Sequence, residues 1–278
     1  MSKYHHSPVT YVEGISLNVM DINKSKEFYN NVLGFEVIEE NASSITMGVD
    51  GRNLLILNQV KTKRDARSAG LYHIAYLVPD RKDLANWLYY HAVNKTRIDG
   101  ASNHGVSEAI YLHDVDGNGI EIYTDTPDSK WELDNGRVGM VTEAIYADGL
   151  FKIADNPTNK LPNNTIVGHI HLSVLDLDES KKFYNLLGFD VVLEMHSAVF
   201  LSNSKYHHHI GMNIWHSKGG SIRDNEQTGI NNFTIKYPSK EEVDNVLKNL
   251  DNAGFAYKVE NNLVTLNDVN NIEVHLVF

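Results

Sequence analysis

VEGISLNVMDINKSKEFYNNVLGFEVI, residues 12–38, returns with small changes as VGHIHLSVLDLDESKKFYNLLGFDVV, residues 167–192. Each copy reads strand, short loop, helix, strand, because a period-two alternation of apolar and polar residues gives way to helical spacing and then returns. Asp21 and Asp176 precede the helical runs as loop or cap residues, and Gly34 and Gly188 follow them, where a left-handed backbone is wanted. A fainter echo joins GLYHIAYLVPDRKDLANWL (70–88) to GINNFTIKYPSKEEVDNVL (229–247), each running glycine, strand, proline, helix. Both echoes close on a late strand, NGIEIY (118–123) and NNIEVH (270–275), which makes Glu273 the expected counterpart of Glu121.

The chain is therefore expected to adopt an α+β fold of four βαβββ modules, at roughly 9–58, 70–124, 166–216 and 229–278. They group as two tandem domains, residues 1–128 and 166–278, with 129–165 as a linker marked by Pro157 and Pro162. One module leaves the concave face of its small mixed sheet uncovered, so modules should pair and enclose a cup.

Composition narrows the function. With 278 residues, 42% hydrophobic and 22% charged, the chain is long enough for two ordinary cores. The formal charge of −11, from 25 Lys and Arg against 36 Asp and Glu, argues against nucleic acid or an anionic membrane as partner. The absence of cysteine removes disulfides, thiolate nucleophiles and Cys-ligated zinc. The N-terminal MSKYHHSPVTYVEG lacks the apolar core of a signal peptide, and no apolar run is long enough to span a bilayer, so a cytoplasmic location is expected.

Strand periodicity then sorts the polar residues by face. In NGIEIYT, Ile120 and Ile122 point one way, and Glu121 points with Tyr123 the other. The apolar side must pack on the helices, so Glu121 faces the cup. His73 opens the second module where Asn232 opens the fourth, and His169 opens the third where Gly14 opens the first. The second and third modules together thus supply two histidines and a carboxylate, while the first and fourth supply Gly14, Asn232 and Glu273. A 2-His-1-carboxylate set with open coordination positions suits non-haem Fe(II), with Mn(II) close behind. This requires the second module to pair with the third; pairing third with fourth would offer His169, Asn232 and Glu273, and an amide is a poor substitute for imidazole on iron.

The stretch ASNHGVSEAIYLHDVDGNGIE (101–121) resembles the signature of the type I extradiol ring-cleaving dioxygenases, within the vicinal-oxygen-chelate superfamily that also holds glyoxalase I. His104, Ile110, Tyr111, Asp114, Gly117 and Glu121 match it; Ala101 stands where glycine is usual and Val115 replaces proline. The resemblance covers the whole chain, the family being built of four such modules, and is closest to the two-domain catechol 2,3-dioxygenases of Bacillus-like bacteria. It implies a catechol-like aromatic diol and O2 as substrates. It also implies His73, His169 and Glu121 as iron ligands, and His104 and Tyr111 as residues that hydrogen-bond substrate or bound oxygen. YHHHIGMNIW (206–215) resembles the strand carrying an acid/base histidine, which falls on His209, with His208 on the opposite face in reserve. Two other readings remain open from the residues: a glyoxalase-like isomerase or thiol transferase, and a metal-free binder whose cup is lined by Trp87, Trp131 and Trp215.

Overall fold

The structure is a computed structural model that describes residues 2–131, 133–134 and 137–278. The first module is β1 (Tyr11–Val19), α1 (Ile22–Leu33), β2 (Glu36–Glu40), β3 (Ser44–Val49) and β4 (Arg52–Gln59). The second is β5 (Gly70–Leu77), α2 (Arg81–Val93), β6 (Gly100–Asn103), β7 (Ser107–His113) and β8 (Gly119–Asp125). Among its described residues the connection carries a 3-10 turn (Asp128–Lys130), the short strands β9 (Leu133–Asp134), β10 (Arg137–Val138) and β11 (Glu143–Ala144), and a short α-helix, α3 (Ala147–Phe151). The third module is β12 (Ile166–Ser173), α4 (Leu177–Leu186), β13 (Asp190–Glu194), β14 (Ala198–Ser202) and β15 (Ile210–Asn213). The fourth is β16 (Gly229–Lys236), α5 (Lys240–Ala253), β17 (Tyr257–Glu260), β18 (Leu263–Asn267) and β19 (Glu273–Val277).

The helices begin and end where their caps dictate. Asp21 accepts from the Lys24 N–H and Asp176 from the Glu179 N–H, each satisfying an orphan donor of the first turn. Gly34 closes α1 at φ 67°, a left-handed geometry costly for any residue with a Cβ. Ser25, Tyr29 and Leu33 recur at four-residue spacing and form the buried stripe of α1.

The modules pair across the chain. One eight-stranded sheet runs β17-β18-β19-β16-β1-β4-β3-β2, uniting the fourth module with the first. The nine-stranded sheet runs β11-β6-β7-β8-β5-β12-β15-β14-β13, uniting the second with the third. Antiparallel pairs join the halves at the centre of each, β1 with β16 and β5 with β12. Ile74, Ile120, Ile122, Ile170 and Leu172 belong to the continuous buried core that packs one face of the second sheet, which leaves Glu121 and His169 on the other.

Register corrects one equivalence. Ala75 pairs with Glu121, and Thr234, which occupies the position of Ala75 in the fourth module, pairs with His275. The Asp114 N–H donates to the Asn118 carbonyl, and the Asp268 N–H donates to the Ile272 carbonyl, so the two turns superpose with Asn118 on Ile272. The counterpart of Glu121 is therefore His275, not Glu273. The likeness of NGIEIY to NNIEVH is a slip of two residues, and a slip of two leaves every side chain on its own face, so periodicity is blind to it.

His91, in the last turn of α2, gives the fold an acid sensitivity. Its Nε2–H donates to the Val32 carbonyl at 2.9 Å, and Nδ1 lies 2.8 Å from the Thr96 hydroxyl. Burial, opposed by that carbonyl, lowers its pKa from 6.5 to about 4. The unfolded chain thus binds a proton that the native protein refuses between those values, so stability rises with pH across that window and falls as pH drops. Urea unfolding from pH 4 to 7 should record a loss of up to about 3 kcal/mol from this group at the acid end. His91→Gln should flatten the slope, and an unchanged slope would refute the assignment.

Candidate metal centre

Glu121 sits in β8 because the turn before it is locked by a buried carboxylate. Asp114 Oδ1 accepts from the backbone N–H groups of Asp116 and Asn118, at 2.9 and 2.8 Å. Its Oδ2 accepts from Asn118 Nδ2 and from the Tyr29 hydroxyl of α1, at 2.8 and 3.0 Å. With every lone-pair direction occupied, the turn has one geometry, and it delivers β8 in parallel register beside β5.

One rung of the second sheet then reads Tyr111, Glu121, Ala75, His169 across β7, β8, β5 and β12. The methyl of Ala75 between two long side chains leaves room for them to meet above it. His73 lies two residues along β5 on the same face. His73 Nε2 is 3.0 Å from Glu121 Oε2, His169 Nε2 is 3.3 Å from the same oxygen, and the two imidazole nitrogens are 3.3 Å apart. All three side chains are buried, at 8%, 3% and 2% exposure for His73, Glu121 and His169.

These separations match donors bound to one ion. Three mutually cis ligands at bond lengths of about 2.2 Å would stand about 3.1 Å apart. Burial would raise the Glu121 carboxyl, but the two imidazoles outweigh it and hold the group well below the usual carboxylate range. Burial, opposed by Glu121, lowers His169 to about 4. Near neutral pH Glu121 is therefore an ionised carboxylate beside the bare imidazole of His169, the protonation state that metal ligation needs.

Around this triad the structure also brings together His104 and Tyr111. His104 Nδ1–H donates to the Val141 carbonyl at 2.8 Å, which leaves Nε2 to accept from the Tyr111 hydroxyl at 2.7 Å. Burial and the Glu121 charge push the Tyr111 phenol up, so it stays protonated. His209 is not brought to the triad. Its Nε2–H donates to the Tyr4 carbonyl at 3.0 Å, and Nδ1 accepts from the Asn203 N–H and lies 3.1 Å from the Ser202 hydroxyl. The residue that meets the triad is His208, whose ring centroid is 4.1 Å from that of His169. Both histidines lie in the loop before β15 rather than in a strand.

Three further features complete the surroundings of the triad. The N-terminal arm covers His209, with His5 Nε2–H donating to the Gly168 carbonyl at 2.8 Å. His171 pairs in register with His73, its ring 5.0 Å away, and its face-sharing with His169 was the available clue. The rings of Tyr72 and Trp215 stand tilted at 5.1 and 5.6 Å from that of His171, whereas Trp87 is spent in the helix layer, donating to the Val32 carbonyl. Trp131 stacks on Tyr4 of the arm.

Comparison with known proteins accords with this architecture. The model of the Glyoxalase/Bleomycin resistance protein/Dioxygenase superfamily matches residues 11–122. A catechol-2,3-dioxygenase of Bacillus subtilis is 39% identical over 268 residues, covering 93% of this chain and 94% of that protein. A metallothiol transferase of Staphylococcus epidermidis is 27% identical over 127 residues, 45% of this chain and 88% of the other. Glyoxalase I of Zea mays shares the fold, with a TM-score of 0.58 at 15% identity, covering 96% of this chain and 92% of that one. No helix among the described residues is long and apolar enough to cross a membrane.

Gly168 permits the close approach of Tyr123, whose ring lies 4.9 Å from His169, because a Cβ there would collide with the tyrosine hydroxyl. Gly168→Ala should cost about 1–3 kcal/mol in denaturant unfolding. Combining it with Tyr123→Phe should recover part of that loss, and strictly additive effects in the double-mutant cycle would refute the contact.

Proposed function

The chain belongs to the glyoxalase/bleomycin resistance/dioxygenase superfamily, and on that premise we propose that it is an extradiol ring-cleaving dioxygenase acting on a catechol-type aromatic diol. One observation carries the reading: His73, Glu121 and His169 converge, buried, from three strands of one sheet. They would hold Fe(II), with Mn(II) the second choice, since two imidazoles and one carboxylate leave positions for substrate. Bound there, Fe(II) supplies Lewis acidity toward the diol oxygens and an electron path to dioxygen.

The remaining chemistry falls to side chains. Tyr111, its proton committed to His104, presents its remaining lone pairs toward the cup and orients a diol hydroxyl by accepting from it. His208, beside His169 and with Phe200 5.1 Å from its ring, takes the diol proton and returns it as the ring opens. This role moves from His209 to His208 because both nitrogens of His209 are already bonded within the fold. Tyr72, Phe200 and Trp215 offer aromatic faces to a planar ring.

The half-chain likeness to a metallothiol transferase makes metal-dependent thiol transfer the second reading. Anaerobic loading with Fe(II), followed by catechol and air, should give a yellow ring-opened product with one O2 consumed per diol. If the metal is bound and no product forms across a panel of substituted catechols, thiol transfer takes the first place. His73→Ala, Glu121→Gln and His169→Ala should each cut retained metal to below about a tenth of the wild-type content. His275→Ala, at the counterpart of Glu121 in the other sheet, should retain it, and elemental analysis separates the two outcomes.

A further inference from the structure

Five side chains beside the triad form a hydrogen-bonded run whose direction is set from one end. Asp125, at the end of β8, accepts from His207 Nε2 at 3.0 Å and from the Tyr206 hydroxyl at 3.1 Å, both on Oδ1. The Tyr206 and Tyr123 hydroxyls are 2.7 Å apart. Nδ1 of His207 lies 2.8 Å from Nδ1 of His208. His207 is fully buried, while the Asp125 side chain keeps 20% of its surface in contact with solvent.

A carboxylate accepts and never donates. Tyr206 must therefore spend its proton on Asp125, so Tyr123 donates to Tyr206. His207 must carry a proton on Nε2, and with that as the ring's single proton its Nδ1 is an acceptor. The proton in the bond between the two histidines then belongs to His208 Nδ1. His208 Nε2 is left as a bare lone pair, with no protein partner among the described residues.

We infer that Asp125 and His207 are positioning residues that hold His208 in its Nδ1–H tautomer and so present Nε2 as the base. The inference rests on the reading of His208 as the acid/base group. It assigns a role to a stretch, Asp125 and the first histidine of the HHH run, that the ring-cleavage reading leaves unused. An imidazole in the opposite tautomer would present an N–H and could not accept the diol proton, however well its ring were placed.

The test reads the tautomer directly. Long-range 1H–15N spectra of the metal-free protein, labelled on histidine, report which ring nitrogens carry protons at neutral pH, with His208 assigned by the loss of its signals in His208→Gln. The expected wild-type pattern is His207 protonated on Nε2 alone and His208 on Nδ1 alone. A doubly protonated His207, or a proton on His208 Nε2, overturns the inference, and this spectrum decides even if a variant fails to fold. Asp125→Leu should release the tautomer to a mixture, whereas Tyr206→Phe, which spares the bond from His207 to Asp125, should keep it. Equal disturbance in both variants, or none in Asp125→Leu, overturns the role given to Asp125.

In the iron-loaded enzyme, Asp125→Leu should lower kcat by about 10²-fold with KM within roughly threefold, and Asp125→Glu should restore part of it. A kcat within twofold of wild type, with the tautomer shown to be lost, overturns the positioning role. If the wild-type protein cleaves no diol yet the spectra match, the ring-cleavage reading fails and the tautomer assignment stands.

Discussion

The antiparallel pairing of β5 with β12 is the contact on which the rest of the site depends. It joins strands 96 positions apart at the two histidines and sets Ala75 opposite His169, with His73 opposite His171. Parallel pairing of β5 with β8 then brings Glu121 onto the same rung. Had β12 paired instead with β16, the amide of Asn232 would face His169 where an imidazole now stands. The sister pairing of β1 with β16 builds a second sheet with the same topology, whose corresponding positions hold Gly14, Asn232 and His275. The two cups thus differ at all three donor positions, and among the described residues the cluster of two histidines and a carboxylate forms in one of them.

Burial gives the cluster its chemical character. A carboxylate with 3% exposure is expensive unless charges or hydrogen bonds compensate it, and Glu121 has two imidazole nitrogens within 3.3 Å. The same burial keeps His169, His171 and His208 low and Tyr111 and Tyr123 high, so these five side chains favour their neutral forms. As neutral rings, His169 and His208 can stand with centroids 4.1 Å apart without charge repulsion. Asp114 plays the opposite part. It faces four donors rather than two imidazoles, and its work is to hold the turn from which β8 departs.

Much of this was legible before any coordinates. The repeat announced four modules, the caps at Asp21 and Asp176 marked helix starts, and the isoleucines around Glu121 assigned its face. The contrast of His73 with Asn232, and of His169 with Gly14, pointed to the pairing the structure adopts. Two things were not legible. The equivalence of Glu121 with His275 was hidden because a slip of two residues preserves a period-two pattern, and only the bonds across the turns reveal it. The facing of His208 rather than His209 was hidden because the run lies outside regular strand, where alternation no longer fixes direction.

By itself, the sequence determined which residues share a face, where helices start and stop, and which modules carry imidazole. These follow from local periodicity and from caps, whose partners lie a few residues away. Tertiary structure alone decided the register between the modules and which histidine meets the triad. It also set the direction of the protons between Asp125 and His208. Those depend on contacts between residues far apart in the chain, such as the Tyr4 carbonyl that occupies His209 and the Asp125 carboxylate that claims the Nε2–H of His207. No local pattern encodes them, because each is fixed by what the rest of the fold places within hydrogen-bond reach.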